Sequence, residues 1–340
     1  EHNGRVDSID YTIFNRSEFI CSGSYDTIYV WDVDNKKQIG KFKHKDRVYC
    51  AKFSQYHYNR ESKEVICFAS ADNSIRFWDY KCNKILTVFK EHSNSVTCIE
   101  ISPFDCGKYL CSGSDDKTVR LWDIEQLTAK IVVNAHENTI SCVDFSPLQN
   151  NNKNDKNNII VSNGHTFCSG SYDQTICVWD IEANKKRNSF LHTCGIFRVK
   201  YGSNELANTI LSSSLDYNVC LWDTRYNNLI RSFKGHSELV YAVDYPPFVV
   251  NNVIGSNSSV ICSGSLDNTI RFWDIRSDKE ELYVIKGYSG KTAITTLKFA
   301  ALKKKENYNK QKSNDIDSMR LYYGTTNGSI YEDIYRNDMN

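Results

Sequence analysis

The sequence contains no apolar run approaching the roughly 18 residues that a membrane-spanning helix needs, so a helical transmembrane protein is excluded. It has no surplus of either charge. Lys plus Arg is 42 and Asp plus Glu is 41, a formal net charge of +1, which argues against general nucleic-acid binding. No Cys-x-x-Cys pair occurs, and the odd count of 13 cysteines runs from Cys21 to Cys262, so neither a zinc site nor a disulfide-stapled scaffold is expected. Dispersed free cysteines behave as small buried apolar residues and fit a reducing compartment, so a cytoplasmic or nuclear location is expected. The chain opens at Glu1 rather than Met, and no basic start followed by an apolar core reads as a secretory leader. Neither a Gly-x-x-x-x-Gly-Lys-Ser/Thr loop nor a Gly-x-Gly-x-x-Gly loop is present, which removes the usual phosphate cradles. Asn-x-Ser sequons begin at Asn15, Asn257 and Asn327 and read as coincidence in an Asn-rich chain.

What is present is repetition. All six tryptophans, Trp31, Trp78, Trp122, Trp179, Trp222 and Trp273, are followed directly by Asp, at spacings of 47, 44, 57, 43 and 51 residues. Each ends a similar phrase. Cys-Ser-Gly-Ser-Asp-Asp-Lys-Thr-Val-Arg-Leu-Trp-Asp closes at Asp123, and Cys-Ser-Gly-Ser-Leu-Asp-Asn-Thr-Ile-Arg-Phe-Trp-Asp closes at Asp274. Upstream of each phrase stands a histidine: His2, His44, His92, His136, His192 or His236, six of the eight in the chain. Such a period overrides the two-domain prior that the length would give. Between these signposts, period-two alternation rich in Val, Ile, Tyr, Phe and Thr reads as short strands. In the third unit the strands fall at Val96–Ser102, Tyr109–Ser114, Thr118–Asp123 and Lys130–Asn134, with Asp115-Asp116-Lys117 as a tight turn. No segment reads as a long amphipathic helix. A four-stranded unit cannot bury both faces alone, whereas radial stacking buries each against its neighbours.

The Xxx-His, Ser-Gly-Ser-x-Asp and Trp-Asp signature resembles the WD-repeat family over essentially the whole chain. The resemblance implies an all-β, seven-bladed propeller, one unit over residues 1–340, with blades near 6–43, 47–90, 95–133, 139–190, 195–234, 239–286 and 293–335. The seventh blade is degenerate: Tyr288 replaces the His, Asn327 the Asp and Asp333 the Trp. In the family the outer strand of the last blade commonly comes from residues ahead of the first inner strand. None precede it here, so a three-stranded or incomplete last blade is expected. In the first blade Asp26 precedes Trp31 by five residues rather than six, which shortens one turn. Insertions at 55–64, 148–165, 246–259 and 301–318 should all emerge on the face opposite the Asp turns. The Asn-rich stretch 149–158 and the Lys-rich stretch 303–312 read as solvated loops.

Ser, His and Asp recurring together would suggest a hydrolase if they occurred once. Occurring six times, each tied to a Trp, they read as architecture. The resemblance implies a buried hydrogen-bonded chain in each of blades one to six: His2, Asp26 and Trp31; His44, Asp72 and Trp78; His92, Asp116 and Trp122; His136, Asp173 and Trp179; His192, Asp216 and Trp222; His236, Asp267 and Trp273. The leftover His57 and His165 have no ligand partners beyond a weak His165-x-x-Cys168. No enzymatic activity, cofactor or metal is expected.

Function is therefore sought on the surface. In the family, partners often dock on the face carrying the Asp turns, around the central channel. Three repeat positions point there: the residue before the turn Asp and two near the start of the first strand. They vary among blades, and they nominate Arg5, Tyr25, Arg47, Tyr49, Tyr172, Phe197 and Tyr241, residue types enriched at binding hot spots. Arg5, Tyr25, Arg47 and Tyr49 in particular are expected to form a clamp for an acidic or phosphorylated peptide. The expected partners are proteins or peptides, not membrane or nucleic acid, engaged by a monomer within a larger complex. On the opposite face, Trp222-Asp223-Thr224-Arg225 and Trp273-Asp274-Ile275-Arg276 resemble the Trp-Asp-x-Arg box of cullin-RING ubiquitin ligase receptors. That resemblance nominates Arg225 and Arg276 as adaptor contacts.

Overall fold

A computed structural model describes residues 1–147, 165–203, 206–246, 260–277, 281–288, 292–301 and 319–335. Seven antiparallel sheets follow one another along the chain, six of four strands and a last one of three, each with its strands in sequence order. The inner strands are Val6–Phe14, Val48–Phe53, Val96–Ile101, Ile140–Phe145, Ile196–Tyr201, Val240–Asp244 and Ile294–Ala301. Each packs against the next, and the seventh packs back on the first, which closes a ring around a central channel.

The repeated phrase explains each blade. In blade 3 the second strand (Tyr109–Ser114) pairs with the third (Thr118–Asp123) so that Leu110 faces Trp122 and Gly113 faces Val119. Lys117, after the turn Asp, adopts φ 67°. The equivalent Asn73, Gln174, Tyr217, Asn268 and Gly328 are also left-handed, which lets the turn close in so few residues. Gly113 has a packing role, since a Cβ there would lie 2.5 Å from Ile140 Cγ2 of the next blade. Between blades the cores are apolar; Cys98, Leu121, Ile140, Phe145, Phe167 and Trp179 share one cluster.

All seven inner strands carry an irregularity in register at their second residue. A bulge re-aims the side chain it carries. Asp7, Tyr49, Thr97, Ser141, Phe197, Tyr241 and Thr295 occupy this position, and all seven line one cavity at the channel mouth.

The seventh blade has three strands among the described residues, Ile294–Ala301, Met319–Thr325 and Ile330–Tyr335, as expected. Side chains and the first residues complete the closure. The His2 N–H donates to the Gly328 carbonyl at 2.9 Å, Thr295 Oγ1 donates to the Val6 carbonyl, and Arg320 pairs with Glu18 at 2.8 Å. Gly328 (φ +90°) is required there, because a Cβ would sit 2.2 Å from the His2 carbonyl oxygen.

One insertion differs from its reading as a loop. Gln55–Glu61 is a short helix that ends at Ser62 in the left-handed conformation, burying Tyr56 and His57. Ser54 Oγ lies 2.8 Å from His57 Nδ1, which gives that histidine a structural role. Nearly all of the other three insertions, including 149–158 and 303–312, lies outside the described residues.

Candidate functional site at the mouth of the channel

Blades 3, 4 and 6 each hold a continuous Trp–Ser–His–Asp chain. In blade 3 the Trp122 indole N–H donates to Ser112 Oγ at 2.9 Å. Ser112 lies 2.8 Å from His92 Nε2, and His92 Nδ1 lies 2.8 Å from Asp116 Oδ2. Thr118 donates to the other Asp116 oxygen at 2.6 Å. Trp179, Ser169, His136 and Asp173 repeat this in blade 4, and Trp273, Ser263, His236 and Asp267 in blade 6. The pattern fits a neutral histidine that donates from Nδ1 and accepts from the serine at Nε2. Burial lowers the pKa of His136, against the opposing pull of Asp173. Ser112, Ser169 and Ser263 are fully buried, so these hydroxyls cannot meet a substrate.

The other blades depart from the chain, each for a visible reason. In blade 1 the shortened turn puts Thr27, not Asp26, against His2 Nδ1 at 2.9 Å, while Ser22 takes His2 Nε2 at 2.7 Å. Among the described residues, the Asp26 carboxylate thus takes no part and the Trp31 indole N–H is buried without a partner. Trp31 packs instead in the cluster at the seam with blade 7. In blade 2 Phe68 occupies the serine position, so His44 bonds Ser70 at 2.9 Å, Asp72 lies 3.5 Å from His44, and Trp78 turns to Asn83 at 3.1 Å. His44, Asp46 and Asp72 bring three ligand-type atoms together, but Asp72 is already tied to Ser74 and Arg76. In blade 5 Trp222 reaches Ser212 at 2.8 Å and His192 Nδ1 lies 3.5 Å from Asp216, but His192 Nε2 is unpaired. His165 stacks on Phe104 at 4.1 Å between ring centroids.

The nominated surface residues meet at the channel mouth. Six of the seven, Arg5, Arg47, Tyr49, Tyr172, Phe197 and Tyr241, line a cavity of ≈ 360 Å³. Tyr25, 55% exposed, stands at the rim under the Arg47 guanidinium, 4.9 Å from its ring centroid. Arg47 also covers Tyr49 at 4.8 Å, and Arg5 covers Tyr241 at 4.3 Å. Phe197 packs on Tyr241 at 4.5 Å and meets Tyr172 edge-on at 5.8 Å.

The expected clamp differs in one respect. Arg47 is forked on Asp7, with Nε to Oδ2 at 2.8 Å and Nη2 to Oδ1 at 2.6 Å. Arg5 Nε also lies 3.0 Å from Asp7 Oδ1. The Arg47 guanidinium is therefore committed to a carboxylate of the chain itself, which also attracts Arg5. The Asp7 hydrogen bond raises the Arg47 pKa, outweighing burial.

Two features of the channel escaped the sequence reading. The fifth residue of every inner strand is charged: Asp10, Lys52, Glu100, Asp144, Lys200, Asp244 and Lys298. Lys52–Glu100 (2.8 Å), Lys200–Asp144 (2.9 Å) and Lys298–Asp10 (2.8 Å) pair across blade boundaries. Burial alone would raise the Glu100 pKa, yet Lys52 and Lys200 hold it down at about 2. The second feature is Arg198, which also lines the cavity at the mouth. The signal for the first was legible: a charge recurring at one fixed offset in all seven repeats.

On the opposite face Arg225 folds back on Asp223 at 2.8 Å and lies over Tyr226. Arg276 is exposed, and its backbone N–H bonds Asp274 at 2.9 Å.

A ring of four-stranded repeats with a narrow polar channel defines a β-propeller. The family described as WD domain, G-beta repeat matches residues 36–79, 83–123, 128–180 and 227–274, more than half of the chain, and the chain belongs to it. Such propellers are in general non-catalytic protein-interaction scaffolds. No helix among the described residues is long and apolar enough to cross a membrane.

Proposed function

We propose that residues 1–340 act as one non-catalytic platform that binds a protein or peptide partner over the channel mouth, on the face of the Asp turns. The observation that carries this reading is the convergence of Arg5, Arg47, Tyr49, Tyr172, Phe197 and Tyr241 on one cavity, although they come from five different blades. Aromatic rings stacked with guanidinium groups give a rigid surface with both apolar area and donors, the composition of a hot spot. The Trp–Ser–His–Asp chains serve the blades themselves. The test is quantitative affinity capture from native cells, comparing wild type with a Tyr25→Ala, Tyr241→Ala double variant. Loss of specific partners with an unchanged melting temperature supports the reading; an unchanged partner set removes it.

Receptor activity in a cullin-RING ligase has narrower support. Arg276 is exposed, but Arg225 is engaged by its own Asp223. Capture with an Arg225→Ala, Arg276→Ala double variant separates the two roles, because only the ligase reading expects that variant to lose an adaptor.

A further inference from the structure

The third residue of each inner strand forms a tier just inside the mouth. It is Ser8, Cys50, Cys98, Cys142, Ala242 or Thr296 in six blades, small each time, and Arg198 in the fifth. A long cation at this one place must project into the channel. It lies within electrostatic reach of the neutral thiols of Cys50, Cys98 and Cys142, which belong to three other blades, and of the Glu100 carboxylate. Its guanidinium lines the cavity and makes no hydrogen bond or ion pair among the described residues.

The other cations there have an acid beside them. Arg47 is forked on Asp7, and Arg5 Nε makes an ion pair with the same carboxylate. The hydroxyls of Thr97, Ser141 and Thr295 donate to backbone carbonyls. The three lysines deeper in the channel are each paired with an acid. Glu100 attracts this guanidinium from a distance but no carboxylate among the described residues is forked on it, so burial costs it hydration that an incoming anion would replace. At the mouth, Arg5, Arg47 and Arg198 face Asp7 and Asp115, so three cations against two anions leave one positive charge.

We propose that Arg198 is the floor of an anion site that receives one glutamate or aspartate side chain of the docked partner. This inference rests on the docking face proposed above and names what the partner inserts there. A single surplus charge matches a carboxylate monoanion better than a phosphate dianion. The collar of Tyr49, Phe197 and Tyr241 would cover the methylene stem and exclude water, which strengthens a fork between guanidinium and carboxylate.

The test uses dodecapeptides selected from a random displayed library on the immobilised full chain. Selected peptides are expected to share an acidic residue whose replacement by Gln weakens binding at least tenfold. Arg198→Met should weaken the parent peptide by a similar factor, and the two changes combined should cost little more than either alone. Arg198→Lys keeps the charge but not the fork, should fold wherever Met does not, and should bind the acidic peptide at least threefold more weakly than wild type. Glu-to-Gln changes within twofold, or a full Glu preference persisting in both Arg198 variants, would overturn the inference. Phosphoserine in place of the acidic residue binding tenfold tighter would overturn the choice of carboxylate. Peptides lost with Tyr25→Ala, Tyr241→Ala but indifferent to Arg198 would leave the docking face standing and remove only the Arg198 site. Peptides indifferent to both would remove the docking face as well.

Discussion

Replacing Ser112 by Ala separates a complete blade network from an incomplete one. Ser112 Oγ is the hydrogen-bond partner of both the Trp122 indole N–H (2.9 Å) and His92 Nε2 (2.8 Å), and all three side chains are buried. Removing the hydroxyl orphans two buried polar groups. Each orphaned group costs about 1–3 kcal/mol, so Ser112→Ala should destabilise by roughly 2–6 kcal/mol. In blade 5, Ser212 serves the Trp222 indole at 2.8 Å while His192 Nε2 is already unpaired. Ser212→Ala orphans one group and should cost about 1–3 kcal/mol. The assay is urea denaturation, reading the shift in midpoint at constant slope. Equal losses for the two variants, or a larger loss in blade 5, would refute the reasoning that satisfaction of the network, rather than the presence of its residues, sets blade stability.

Four further expectations follow from the same geometry. Ser213 stands where five of the other blades have glycine and blade 2 has Ala69, and its hydroxyl is buried with no partner among the described residues; Ser213→Ala should stabilise by about 1 kcal/mol, and a lower urea midpoint would contradict this. Gly113→Ala should destabilise by about 1–3 kcal/mol, because its Cβ would meet Ile140 Cγ2 at 2.5 Å and Cys98 Sγ at 2.8 Å. Burial chiefly lowers the pKa values of His44, His136 and His192, and His2 falls to about 3. An unfolded histidine titrates near 6.5, so the unfolded state takes up these protons first. Stability should be full above about pH 7 and fall as pH drops below about 6.5; a melting temperature flat from pH 7 to 5 would count against neutral buried histidines. Finally, hydrogen exchange in Met319–Thr325 and Ile330–Tyr335 should be faster than in blades 3 and 4, since Tyr288 is 70% exposed where the other blades bury histidine. Uniform protection around the ring would show that the three-stranded blade is as stable as the rest.

The ring was legible because its signposts are local and repeated. Trp-Asp, the turn Asp and the upstream His lie within one blade, so their spacing in sequence carries their spacing in space. The Asp7–Arg47 fork and the isolation of Arg198 were not legible, because they depend on which inner strands meet across blade boundaries. Asp26 misled for a local reason: deleting one turn residue moved Thr27 into hydrogen-bonding range of His2. Phe68 in the serine position could have warned that blade 2 wires Trp78 differently. Gln55–Glu61 read as a loop because seven residues are too few for helical periodicity to declare itself.

The central claim, that a partner docks over the channel mouth, is tested most directly by hydrogen exchange on the full chain with and without its captured partner. The account predicts new protection around Tyr25, Tyr49, Tyr172, Phe197 and Tyr241, with little change in the loops that follow the Trp-Asp pairs. Protection confined to those loops, around Arg225 and Arg276, with the mouth unchanged, would contradict it.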